Sequence, residues 1–380
     1  MFYAGMKRVL SAVLNFMKRE VVLCVAILLA VVSAFFVPPS MEYFGYIDWD
    51  TLALLFGLMA VMKGFQRAGL FDILANKLLK RANTSRKLMF VLVFLPFFLS
   101  MAVTNDVSLI TFVPFGIIVF KSAGLEKRII PLIVLQTLAA NLGSMLTPMG
   151  NPQNLYLYNA SGMSFGDLVL LMLPYVALSG AGLAAVVLVF KPVPVTFEQT
   201  DIKLNGAFSL VWPAVFFIVC LLGLFNVVPS LIIAAVILLF LLLADRKTLA
   251  KVDYSLLGTF IALFIFIGNM KNIEAFRTFL SSVIGGNEEL VAVLASQVIS
   301  NVPAALLLSG FSTEWEALIV GCNLGGLGTL IASMASLISY KALAGEYPQM
   351  RAKYLLHFTV YNIVFLAVLV ALSCVLALIL

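Results

Sequence analysis

The stretch 101–114, "MAVTNDVSLITFVP", sets Thr104, Asn105 and Asp106 side by side within hydrocarbon. The apolar run "LMFVLVFLPFFLS" (88–100) leads into it and "ITFVPFGIIVF" (110–120) leads out. In lipid an unpaired backbone group costs several kcal/mol, so irregular polar chain persists there only where protein packs it or a cavity solvates it. Lys87 stands before the first arm, and Lys121, Lys127 and Arg128 follow the second. Basic residues collect on the cytoplasmic side, so both ends of this segment lie inside. The arms are either two full spans or a re-entrant hairpin with Thr104–Asn105–Asp106 at its tip. Charge alone does not separate the two.

The rest of the chain agrees with a bilayer as solvent. Of its 380 residues, 63% are hydrophobic and 11% charged, against roughly a quarter charged in a soluble protein. The length allows about ten helical crossings of about 20 residues each, with short loops. The expected fold class is an all-α polytopic membrane protein. The basic start, with Lys7, Arg8, Lys18 and Arg19, leads into an apolar run from Val21 to Val37 with no A-x-A site before "PPSMEY". That reads as a cytoplasmic N-terminus and a retained helix, not a cleaved signal. Cys24, Cys220, Cys322 and Cys374 have no paired spacing, and His357 is the one histidine. Phosphate-loop, nucleophile-elbow and metalloprotease motifs are absent, so neither an enzyme nor a resident cofactor is expected.

Following the basic residues along the chain places 22 of the 24 lysines and arginines inside, with Lys271 and Arg277 outside. The net charge of +6 is thus a topology signal and gives no reason to expect nucleic acid. The partners expected are the lipid bilayer and a small anionic substrate, in a bacterial inner membrane.

The second half of the chain echoes the first. "IDWDTLALLFGLMAVMKGFQRAGLF" (47–71) is similar to "VDYSLLGTFIALFIFIGNMKNIEAF" (252–276), "VTNDVSLI" (103–110) to "ISNVPAAL" (299–306), and "AANLGSMLTPMGNPQN" (139–154) to "GCNLGGLGTLIASMAS" (321–336). Asp48 opens its copy outside and Asp253 opens its copy inside, so the repeats are inverted, a feature of secondary transporters. The expected organisation follows. Residues 1–47 hold an amphipathic segment and the first transmembrane helix. Residues 48–190 form the first repeat, with a hairpin at 88–120 and a broken helix at 129–160. Residues 191–252 are a linker and two connecting helices. Residues 253–345 form the inverted second repeat, with a hairpin at 287–311 and a broken helix at 315–341. Residues 346–380 are the last transmembrane helix.

Broken helices expose N–H groups that favour anions and carbonyls that favour cations. Asn, Ser and Thr at the breaks either add hard oxygen ligands or simply bond helices together. Asp106 stands apart among 18 acidic residues, as the one placed deep in an apolar segment. A charge there costs roughly 2.5–3.5 kcal/mol on insertion scales. It either binds a coupling cation or proton, or caps the arm that follows it. No deep Lys or Arg is expected to pair with a substrate carboxylate, so anion binding is expected to rely on N–H groups, amides and cations.

At these residues the sequence resembles the ion transporter superfamily, which includes divalent-anion/sodium symporters, citrate transporters, arsenite permeases and a class of Na⁺/H⁺ antiporters. The resemblance rests on "TND" and "SNV" at the two tips and on "NLGSMLTPMGNPQN" and "NLGGLGT", and it covers most of the chain. It implies Na⁺ sites at Thr104, Asn105 and Gly143 and at Ser300, Asn301 and Gly325. It also implies a substrate near the tips, with Thr147, Pro148 and Asn154 close by. Asn141, Ser144, Asn151, Pro303, Asn323 and Thr329 complete the candidate substrate and ion residues. The implied scaffold often forms homodimers and works by an elevator-like movement. The implied function is secondary active transport of a di- or tricarboxylate or inorganic oxyanion with Na⁺ or H⁺. Efflux of arsenite or Na⁺/H⁺ exchange is the alternative. Asp106 and Val302 replace the symporters' third tip residue, and the second break ends in "TLIASMAS". These departures favour proton or single-cation coupling.

Overall fold

The computed structural model describes residues 16–17, 20–79, 82–195 and 208–379. Most of the amphipathic start, along with Lys80, Arg81 and Lys203, lies outside the described residues. The described chain is helical. It runs through α1 (Val21–Ala34), α2 (Trp49–Ala68), α3 (Leu70–Leu79), α4 (Ser85–Leu99), α5 (Asn105–Ser122), α6 (Ile129–Ser144), α7 (Pro152–Ser161) and α8 (Phe165–Val189). Then follow α9 (Phe208–Leu224), α10 (Ser230–Ala244), α11 (Tyr254–Lys271), α12 (Glu274–Ile284), α13 (Glu288–Ile299), α14 (Asn301–Ser309), α15 (Trp315–Leu324), α16 (Met334–Glu346) and α17 (Arg351–Ile379).

Local chemistry sets the boundaries. Asp48 caps α2 by accepting from the Thr51 N–H at 2.9 Å, and Asp253 caps α11 by accepting from Leu256 at 3.0 Å. The two caps have nearly the same backbone, φ −79°, ψ 89° and φ −81°, ψ 84°. Gly69 ends α2 at φ +80°, a left-handed conformation that glycine adopts without a Cβ clash. The chain then turns by 57° into α3. Asn151 caps α7 at the Asn154 N–H. Pro152 sits in the first turn of α7, where the missing N–H costs nothing.

Four of the described helices are long and apolar enough to cross a membrane: α5, α8, α11 and the stretch Pro348–Ile379 that contains α17. The bent pair α2–α3 makes a fifth candidate. Fewer full spans appear than length alone allows, because interruptions at 145–151 and 325–333 divide two apolar stretches into short helices. α13 and α14, of 12 and 9 residues, reach only about 18 and 14 Å at 1.5 Å per residue. Neither covers the roughly 30 Å hydrocarbon layer.

Helix α6 packs on both α4 and α5, and α15 packs on α13 and α14. Across the molecule α5 packs on α16, and α14 packs on α7. One buried side chain shows how sequence fixes this centre. Pro96 inside α4 has no N–H to offer the Leu92 carbonyl one turn back. Gln136 of α6, fully buried, donates its Nε2 to that carbonyl and to the Phe112 carbonyl of α5, each at 3.0 Å. A single amide thus satisfies the acceptor that the proline leaves and ties α6 to α4 and α5.

Candidate transport site

The start of α5, the two interruptions and the helix ends beside them meet in a buried amide network. Asn105 at the start of α5 donates to Asn141 Oδ1 at 3.0 Å. Asn141 also accepts from Ser333 at 3.2 Å and donates to Ser336 at 3.4 Å, both in the second half of the chain. Asn323 bonds the opposite way. It donates to Asn154 Oδ1 at 2.6 Å and accepts from Asn151 at 3.4 Å. Asn151 further donates to Ser144 at 3.1 Å, and Asn154 Nδ2 lies among the carbonyls of Ser144, Met145 and Thr147. Each half of the chain thus plants an asparagine in the other's interruption. Buried amides this fully paired hold one geometry, since losing a partner leaves a desolvated polar atom.

The tips are built differently. At the first, the Thr147 hydroxyl bonds to the Met101 carbonyl, Thr104 is the N-cap of α5, and the Asp106 carboxylate has no hydrogen-bond donor among the described residues. At the second, Ser300 is held at φ 73°, ψ 153°, a region that side-chain-bearing residues rarely occupy. The Asn301 N–H donates to the Ala332 carbonyl at 2.9 Å, which fixes the turn against the second interruption. Gly143 and Gly325 are points of close approach. A Cβ on Gly143 would strike the Phe97 carbonyl, and one on Gly325 would strike Ser296. Pro148 is buried in a short 3₁₀ turn, Pro148–Gly150, whereas Thr329 is exposed and bonds to the Gln297 carbonyl at 3.1 Å.

A cavity of about 60 Å³ lies beside the first tip, lined by Thr104, Asp106 and Asn151 with an apolar wall that includes Leu55, Met59 and Leu155. Lys63 and Asp253 line it too. The expectation that no deep lysine is at hand to pair with a substrate carboxylate is corrected, since Lys63 lines this cavity. Lys63 of α2 lies in the electrostatic field of both Asp253 and Asp106. Reading each lysine as a marker of membrane side hides this, because the three residues come together only through the packing of α2, α5 and α11. The cavity shares Lys63 and Asp253 with a polar vestibule of about 980 Å³, whose walls include Glu20, Gln66, Arg67 and Lys251. A smaller cavity of about 40 Å³ places Asp106, Asp253 and Glu20 with Val302 and Pro303 of the second tip. The third residue of each tip faces this one space.

Residues 9–313 match the citrate transporter family. The chain belongs to that family. An uncharacterised transporter of Methanocaldococcus jannaschii is 34% identical over 316 residues, covering 80% of this chain and 84% of that one. The inner membrane protein YbiR of Escherichia coli is 32% identical over 323 residues, covering 83% and 86%. A Dictyostelium discoideum protein carrying the name arsB is 29% identical over 134 residues, covering 33% and 23%. This citrate transporter family member is an integral membrane transporter and not an enzyme.

Proposed function

We propose that the chain is a secondary active transporter that moves a small anion, a di- or tricarboxylate or an inorganic oxyanion, with Na⁺ or H⁺ as coupling ion at Asp106. The observation that carries this is an undonated carboxylate at a hairpin tip, lining a cavity continuous in its walls with a charged vestibule. Transport residues in membranes are ionisable groups that face such cavities. In this reading Arg67 and Lys251 put the vestibule on the cytoplasmic side, the N-terminus is cytoplasmic and the membrane is a bacterial inner membrane.

The architecture proposed is an inverted repeat. Its support is the matched order α2–α8 and α11–α17, the matched Asp48 and Asp253 caps, and the crossed packing of α5 on α16 and α14 on α7. On this reading the second repeat runs through α17 to Ile379. The short arms α13 and α14 favour a re-entrant second hairpin. The hydroxyl and amide oxygens of Thr104 and Asn105, and of Ser300 and Asn301, are the proposed cation ligands. Gly143 and Gly325 let the neighbouring helices approach them.

The size of the inner cavity favours a second reading on the same scaffold. A cavity of about 60 Å³ has room for only a small ligand, which suits arsenite efflux or Na⁺/H⁺ exchange. Uptake by reconstituted liposomes of citrate, succinate, sulfate and arsenite, under an imposed Na⁺ gradient and separately a pH gradient, tests the choice. Gradient-driven uptake of an anion supports the first reading. Absence of uptake, together with Na⁺-dependent proton movement or arsenite export, replaces it with the second.

A further inference from the structure

Lys63 and Asp253 are the two charged side chains that line both the inner cavity and the vestibule. The Lys63 ammonium makes a single hydrogen bond, to Gln66 Oε1 at 3.4 Å, and no direct ion pair with a described residue. The four-carbon stem is flexible and the head is a compact cation. Around it stand Asp106 from α5 and Asp253 at the cap of α11, with Glu20, Arg67 and Lys251 further out on the vestibule wall.

Asp253 has a carboxylate at its matched position, Asp48, but Lys63 and Asp106 have no charged counterpart. By the alignment of 47–71 with 252–276, Lys63 corresponds to Gly268, which packs against the Tyr46 ring. Asp106 corresponds to Val302. The charged cluster is thus built at one side of the molecule only, where one cavity narrows from the vestibule.

Resting on the reading of Asp106 as the coupling site, we infer that Asp106 and Asp253 form one cation seat and that Lys63 is its tethered occupant. With no coupling ion present, the Lys63 ammonium swings to Asp106 and compensates one of the two carboxylate charges. A bound Na⁺ or proton displaces it toward the vestibule. This keeps the Asp106 carboxylate from facing an apolar wall without a counter-charge during the empty return step, because an uncompensated buried charge is costly, while Asp253 is exposed at the vestibule. The seat therefore moves with a cation in it at every stage, either the coupling ion or the lysine.

An intramolecular competitor lowers apparent affinity by the fraction of time the seat is open. If Lys63 fills it about nine-tenths of the time, its removal tightens ion binding about tenfold. The experiment is calorimetric titration of the purified full-length protein with Na⁺ alone at fixed pH. A second arm measures the pH midpoint of substrate binding without Na⁺. Lys63→Met is expected to bind Na⁺ about tenfold more tightly, or to raise the pH midpoint by about one unit if the ion is H⁺. Lys63→Arg should stay near the wild type, and Asp253→Asn in the Lys63→Met background should reverse the gain. Lys63→Gln replaces Lys63→Met if the latter fails to assemble. A shift under twofold for the lysine variants in both arms, with binding abolished by Asp106→Asn, overturns the tethered-lysine inference and leaves the Asp106 reading standing. Unchanged ion and pH dependence in Asp106→Asn overturns the underlying reading itself.

Discussion

Ser300 combines a positive φ with a place on the second tip, and the combination separates conformation from chemistry. A side-chain-bearing residue in that region costs about 1–3 kcal/mol, which glycine largely avoids. Ser300→Gly is therefore expected to raise the melting temperature in detergent. If the hydroxyl is a cation ligand, the same variant should weaken the dependence of transport on the coupling ion. A rise in melting temperature with unchanged ion dependence would confine Ser300 to a structural role. The polar identity of this tip was legible in the sequence, because "ISNVPAAL" stands inside apolar chain. Its strain was not, since φ is set by the Asn301 and Ala332 backbone contact. The companionship of Lys63 and Asp253 with Asp106 was hidden for a similar reason. Local charge assigned Lys63 to a basic cytoplasmic stretch, and only the packing of three distant helices turns it toward the cavity.

The elements holding the vestibule wall are joined by ionic contacts that respond to acid. Asp245, between α10 and the short helix Arg246–Leu249, accepts from the Thr248 hydroxyl at 2.7 Å and pairs with Arg67 at the end of α2. Partial burial pushes its carboxyl up, but the Thr248 and Arg67 contacts outweigh that and hold it below the ordinary value of 3.8. A depressed carboxylate adds stability above its unfolded value and loses it as pH falls through the lower folded value. The stability difference between the wild type and Asp245→Asn should therefore be full at neutral pH and shrink below about pH 4. A difference that stays constant down to pH 3 would contradict this contact. At the start of α5, Thr104→Cys in a background lacking Cys24 and Cys374 should react with a membrane-impermeant thiol reagent from the vestibule side. Labelling confined to the opposite side would contradict a cavity reached from the vestibule. The interruptions of these elements were legible as Gly, Pro and Asn within apolar runs. Their crossed bonding, with Asn141 on Ser333 and Ser336 and Asn323 on Asn151 and Asn154, was not, because it joins residues more than 150 positions apart.

At the scale of the molecule, helices and cavities assemble around a centre where two interrupted apolar stretches cross. Composition and the two matched halves made an all-helical membrane transporter readable from sequence, and membership of the citrate transporter family agrees with it. The number of full spans was less readable, because an apolar window does not reveal whether a helix continues through it or stops at a break. Coupled transport through Asp106 is the claim on which the rest depends. The most direct measurement is gradient-driven substrate uptake into liposomes by the wild type and by Asp106→Asn, at matched amounts of folded protein. Uptake by the wild type under a Na⁺ or pH gradient, reduced at least about a hundredfold in Asp106→Asn while substrate counterflow without a gradient persists, is the expected result. Equal gradient-driven uptake by the two proteins, with the same Na⁺ and pH dependence, would contradict it.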